Sequence, residues 1–449
     1  MHSQYEQSSF NNKKFFIVII ALIVISLIDT IVVKVNDLID KNFIPMQNKL
    51  ILFSANSALC LFLQFYIIKY TKRSLRTDRL SRTLKARAFY IISLTSLCIL
   101  SALVGLLIFQ QFYNNYYDTS ISISIITISY GAAAALVIWL SLLFFSWYKS
   151  NHNIIVFLYF ISMIVIAFNL IMTAAFTSAK VTARPYHAGE YFGSSGDISG
   201  GRYAFLENTY RISTFMSFFS IWVTTAILMN YYREKRVGAI VYWIILSIPF
   251  VYFLITYFYQ IILSSILISY LEIDPITVSI ALGAFLSLSK PIGGFIFALA
   301  FWKISKIRSY EKNIKTYMII SGAGIFLIFT ANQADVQIVA PYPPFGLATI
   351  TILNIAAFLM LIGIYNSATL VSVNNNLRRS IRKHALESRL LDAIGQAEME
   401  NEIQKTVTKI TQDKNSLMTE TDQRMELDEK ELKKYVDLVV KEVKKEGKH

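Results

Sequence analysis

Cysteine is almost missing from this chain. Two occur in 449 residues, Cys60 and Cys98, each part-way along an apolar run where a thiol serves as a small hydrophobe. A disulfide framework and a cysteine metal site are both excluded. Histidine is nearly as scarce. His2, His152, His187, His384 and His449 are scattered, and none has metal-ligand spacing to another. P-loop and GxGxxG phosphate cradles are missing as well, so no metal and no cofactor is expected. Glycine accounts for 17 of 449 residues, against a usual ~7%, and proline for 8. Few helices can therefore be broken. Charged residues make up 16% of the chain, well below the usual ~25%.

What fills the space is apolar: 55% of residues, with 32 Phe and 26 Tyr. A soluble chain of this length could not bury that much, so the surface must face lipid. The net charge of +14 would suit nucleic acid if it formed one patch. Instead the cations fall in short clusters between apolar runs, as in cytoplasmic loops beside anionic lipid. The bilayer is the expected partner, and nucleic acid is not.

Taking about 20 apolar residues as one crossing, runs lie near 15–33, 50–68, 88–112, 121–147, 154–176, 212–231, 239–264, 278–302, 316–333 and 346–372. The first follows Lys13 and Lys14 and is longer than a cleaved signal segment, which makes it a retained anchor. Loop charges alternate across this register. Lys69, Lys72, Arg73, Arg76, Arg79, Arg82, Lys85 and Arg87 occupy one loop, and later even-numbered gaps carry Lys149, then Arg233, Lys235 and Arg236, then Lys303, Lys306, Arg308, Lys312 and Lys315. The opposite gaps hold Asp118, Glu272 with Asp274, and Asp335. By the positive-inside rule both termini are cytoplasmic, in the cell membrane. The segment 239–271 is long for one crossing and reads as a tilted helix bent at Pro249 or as a crossing plus an interfacial piece.

The expected fold is all-α: a polytopic helical membrane protein of about ten transmembrane helices. Residues 1–14 form a cytoplasmic N-terminus, 15–372 the membrane domain with an outer loop at 177–211, and 373–449 a cytoplasmic helical tail. The tail carries one stripe at Leu386, Leu390, Ile394, Ala397, Ile403, Val407 and Ile410, and a second at Leu432, Tyr435, Val436, Val439, Val440 and Val443. These stripes are covered by each other or by the same chain, or else the tail over 377–443 meets a cytoplasmic partner or a second copy.

Charges inside apolar runs are the most informative candidates, because each costs roughly 2.5–3.5 kcal/mol at mid-bilayer. Lys290 lies near the middle of the eighth run, beside Pro291, which is expected to kink the helix and free the carbonyl of Ser287. Asp29, in the first run, is its candidate counter-ion. Glu272, Asp274 and Asp335 are outer-face candidates. No residue is read as catalytic: Gly193-Ser194-Ser195-Gly196 spells a protease motif in an outer loop without a membrane-embedded histidine, and too little chain follows His384 for a kinase.

The segment from ANQADVQIVAPYPPFG into SIRKHALESRLLDAIGQAEMENEIQK resembles an uncharacterised family of multi-pass membrane proteins of ammonia-oxidising archaea, over roughly 332–405. The resemblance implies a lineage and a topology, and no activity. The function expected is a sensor, receptor-like or scaffold role with a cytoplasmic output tail. The alternative is a secondary transporter for a small, anionic solute held by Lys290, and an enzyme is the least favoured class.

Overall fold

The computed structural model describes residues 15, 17–29, 46–76, 84–114, 117–183, 201–232, 238–258, 266, 285, 288–307, 312–332, 343–383 and 388–418. Among these there are twelve helices and no strand. They are α1 (Ile17–Asp29), α2 (Met46–Arg76), α3 (Leu84–Asn114), α4 (Thr119–Ser150), α5 (Ile154–Ala183), α6 (Gly201–Tyr232), α7 (Ala239–Phe258), α8 (Ser289–Ser305), α9 (Lys312–Ala331), α10 (Leu347–Val373), α11 (Asn375–Lys383) and α12 (Arg389–Met418). An all-helical answer follows from lipid as solvent, where each backbone N–H and C=O must be paired within its own segment.

Eight of these helices, α2 to α7 with α9 and α10, are long and apolar enough to cross a membrane. The ten expected runs correspond in order to α1–α10, but α1 is a shorter apolar helix and α8 spans 17 residues. Helix takes both ends of the expected outer loop 177–211: α5 continues to Ala183 and α6 begins at Gly201, clamped by the stacked rings of Phe176 and Tyr210, 4.7 Å apart. In 239–271, helix runs to Phe258 with Pro249 inside it. Most of the remainder of that segment lies outside the described residues.

Turns between helices are capped by their own side chains. Asp118 Oδ1 accepts from Ser120 N at 2.8 Å to start α4, and Asn153 Oδ1 accepts from Ile155 N at 2.9 Å to start α5. Successive helices run antiparallel. Ser162 meets Thr224 and Asn169 meets Ser213 and Thr214 between α5 and α6, while Tyr242 and Trp222 tie α7 to α6 in reverse order.

Helix α10 is the central pole, buried from Leu347 to Ser372 apart from Thr369, and α2, α3, α4 and α9 pack around it. Its sequence is apolar on all sides, which marks a helix with no lipid-facing or water-facing stripe. Polar groups turn inward: Gln64 donates to Thr351 at 2.8 Å, Ser129 to the carbonyl of Ile350 at 2.5 Å, and Asn354 to that of Ser93 at 3.2 Å. The rim is apolar and exposed, with Phe62 on α2, Phe109 on α3, Leu142 on α4 and Ile240 on α7. An exposed apolar rim around a polar-stitched centre is the surface pattern of a helical bundle in lipid.

Candidate functional site

The two charges singled out in the sequence, Lys290 and Asp29, stand at the same end of the bundle, where α10 begins. Lys290 is in the first turn of α8, and its Nζ donates to the carbonyl of Asn332 at 3.0 Å, at the end of α9. Pro291 is the third residue of α8. The first turn of a helix has no intrahelical acceptor for an N–H, so a proline there opens a helix without bending it. The described helix thus places Pro291 at a start, where the sequence reading expects a kink within a run.

Lys290 belongs to a polar cluster that hydropathy does not reveal. Asn332 Nδ2 donates to Asn169 Oδ1 at 2.7 Å, and Asn169 Nδ2 donates to Ser213 Oγ at 3.0 Å and Thr214 Oγ1 at 2.9 Å. Asn169, Ser213, Thr214 and Asn332 are all buried, so helices α5, α6, α8 and α9 meet on hydrogen bonds here. The sequence signal was present: Ser162, Asn169 and Thr173 share one face of an otherwise apolar α5.

Asp29 is held by a different helix. Its Oδ2 accepts from Gly346 N at 3.0 Å, Thr349 Oγ1 at 2.8 Å and Thr349 N at 3.4 Å. The carboxylate caps the N-terminus of α10. Lys290 donates to the end of α9, while Asp29 accepts from the start of α10 and from Asn56 of α2, so the Lys290–Asp29 pairing is not what the described contacts display. The proline–aromatic turn ahead of α10 is packed inward, Phe345 edge-on to Phe53 of α2 at 5.8 Å. Glu272, Asp274 and Asp335 lie outside the described residues, as does the tail stripe from Leu432 to Val443.

At the opposite end, α12 returns against α4, α5 and α10. Leu390, Leu391, Ile394 and Ala397 are fully buried, so the first half of the tail's leading stripe is covered by the chain's own bundle. Gly395 lies so close to Val371 of α10 that a side chain there would overlap it. The Trp147 indole N–H donates to Glu398 Oε2 at 2.7 Å, and both residues are buried. Ser150 Oγ donates to Asn401 Oδ1 at 2.6 Å, and Asn401 Nδ2 to Ser146 Oγ at 3.2 Å. Arg378 of α11 donates to the carbonyl of Ser372 at 2.9 Å and also contacts Met399. Burial, then Arg382, lowers the Arg378 guanidinium from its ordinary value, and burial raises the Asp392 carboxyl. Past Asn401 the helix projects, and Ile410 is 60% exposed. None of Trp147, Gly395 and Glu398 stood out in the sequence, because each needs a partner more than 20 residues away.

Replacing Glu398 with alanine is expected to release the tail without unfolding the bundle. The buried indole N–H would lose a charged acceptor, a loss of about 1.5–3 kcal/mol. Amide exchange across Leu390–Ala397 in detergent should accelerate about tenfold or more, with α10 unchanged. Equal exchange in both proteins would show that α12 is held without this bond.

Among the described residues no group of three or more His, Cys, Asp or Glu could hold a metal ion. The eight long apolar helices and their exposed rim define a multi-pass membrane protein. No family model matches the sequence, and neither a curated protein nor a solved structure is significantly similar to it.

Proposed function

We propose that this protein is a membrane sensor or scaffold whose output element is the cytoplasmic tail. The observation that supports the reading is the seating of α12 on the ends of α4 and α10 through buried, polar-specified contacts. Only Asn374 separates α10 from α11, and its side chain caps α11 through Leu377 N at 3.1 Å. A ligand, lipid or partner that shifts α10 or α4 changes the platform on which α12 rests, and so the population of its docked state. The archaeal-family resemblance, over 332–405, covers α10, α11 and the docked half of α12. It supports a shared arrangement there and adds no activity.

The test is capture from native membranes with the full chain and with a chain stopped after Ser372. Cytoplasmic proteins retained only by the full chain are expected, and identical sets would remove the support for this reading. The Lys290–Asn332–Asn169 cluster favours a second reading, a secondary transporter for a small anion. In reconstituted vesicles a transporter loses flux on Lys290→Met and keeps it without the tail. A sensor or scaffold tolerates Lys290→Met and fails without the tail.

A further inference from the structure

A groove of about 450 Å³ separates the end of α4 from the middle of α12. Leu143 and Trp147 line it from α4, and Glu398, Gln404, Lys405 and Lys409 from α12. Nothing in the sequence suggested this site, since its two walls are some 250 residues apart in the chain.

We propose that the groove binds the phosphodiester of a membrane phospholipid. Place is the first argument. Leu143 is one turn inward from Trp147, and α4 ends two residues beyond Tyr148, with the Lys149 ammonium over the Phe145 ring at 4.6 Å. Aromatic and Lys side chains at a helix end mark headgroup level, so the groove spans the boundary between acyl chain and headgroup. Charge is the second. Of the residues that line the groove, Glu398, Lys405 and Lys409 sum to one positive charge, which the single negative charge of a phosphodiester matches; Glu402, paired with Lys405, stands outside the lining. The Trp147 indole, a neutral donor, holds Glu398 at 2.7 Å without cancelling its attraction for Lys405, which Glu402 shares, so Lys409 is the ammonium left for the ligand. Lys405 and Lys409 are one helical turn apart, about 6 Å, a separation one phosphate can bridge. Lys405 also donates to Glu402 at 3.0 Å, but both side chains of that pair are more than half exposed, and such pairs hold weakly. An ammonium has three donors, so a phosphate oxygen can share Nζ. Gln404 and Asn401 add neutral donors on the same wall.

The site is independent of the sensor reading and would serve any role of the bundle. Native mass spectrometry of the full chain in detergent, titrated with phosphatidylglycerol, tests it. The Lys405→Gln/Lys409→Gln double variant is expected to bind about tenfold more weakly or worse, since the lost charge-assisted bond at Lys409 alone carries roughly that factor. Lys312→Gln/Lys315→Gln, an equal charge loss at the start of α9, should stay within about twofold. Both lysines of the groove are solvent-exposed, so the variant keeps its fold, checked by circular dichroism. Equal weakening by the two pairs would reduce the effect to bulk electrostatics and overturn the proposal. Displacement of the lipid by inorganic phosphate, but not by chloride at the same ionic strength, would assign the groove to a soluble phosphate ester and overturn the lipid.

Discussion

Gly324→Ala is expected to destabilise the bundle by about 1–3 kcal/mol, the range for overpacking a close-packed interior, and Gly324→Val by more. A methyl at Gly324 of α9 would stand 2.5 Å from the backbone N of Met360 and 2.8 Å from the carbonyl of Ala356 on α10. The relation is reciprocal. A methyl at Gly363 of α10 would meet the carbonyl of Tyr317 at 2.7 Å and the backbone N of Ser321 at 2.9 Å on α9. These are main-chain atoms, which no rotamer change can move aside, so two whole helices must separate. Backbone approach at small residues is a principal source of helix association in lipid, where apolar burial adds little. Gly105→Ala and Gly131→Ala are the controls. Nothing lies within 4 Å of a methyl at either site, and exchanging a helical glycine for alanine gains up to about 1 kcal/mol. Thermal midpoints in detergent should fall for Gly324→Ala and hold or rise for the controls. A midpoint for Gly324→Ala equal to that of Gly131→Ala would contradict the close approach.

The sequence disclosed which segments are helices far better than which helices meet. Apolar length is a local property, so α3, α4, α9 and α10 were readable to within four residues at each end, while α2, α5 and α6 run on by 7 to 11 residues at one end into less apolar sequence. Most of the start of the eighth run, which reads from 278, lies outside the described residues, and the described α8 begins at Ser289. The centrality of α10 was half-readable, as its lack of any polar face implies burial without naming the neighbours. Lys290 and Asp29 were found because a charge in an apolar run is conspicuous. Their partners were not, because backbone amides at Gly346 and Thr349 and the carbonyl of Asn332 carry no side-chain signature. The tail stripe was visible at Leu390, Ile394 and Ala397, yet periodicity cannot say what covers an apolar face. Its cover is the end of α4 and α10, fixed by Trp147, Val371 and Glu398.

Asp29→Ala is expected to cost about 1–3 kcal/mol, the range for leaving buried donors unsatisfied, and to fray the start of α10. Helix α10 starts from Gly346 at φ 88°, a left-handed conformation that favours glycine. Glycine has no side chain to cap with, so the position that sets the backbone turn forfeits its own N-cap. Asp29 of α1 replaces it in space, accepting from Gly346 N and from Thr349 N and Oγ1. Removing the carboxylate strands those donors in a buried site. Asp29→Asn keeps an acceptor of the same shape and should recover much of the loss. Amide exchange at Leu347–Ile350 and the thermal midpoint read both variants. The asparagine also separates a cap from a functional acid. A cap predicts that Asp29→Asn keeps stability and tail-dependent binding together, because α10 still starts in place. A protein that stays fully stable with asparagine but loses its function would make Asp29 a working charge, and the capping of α10 would then be only the means by which it is held.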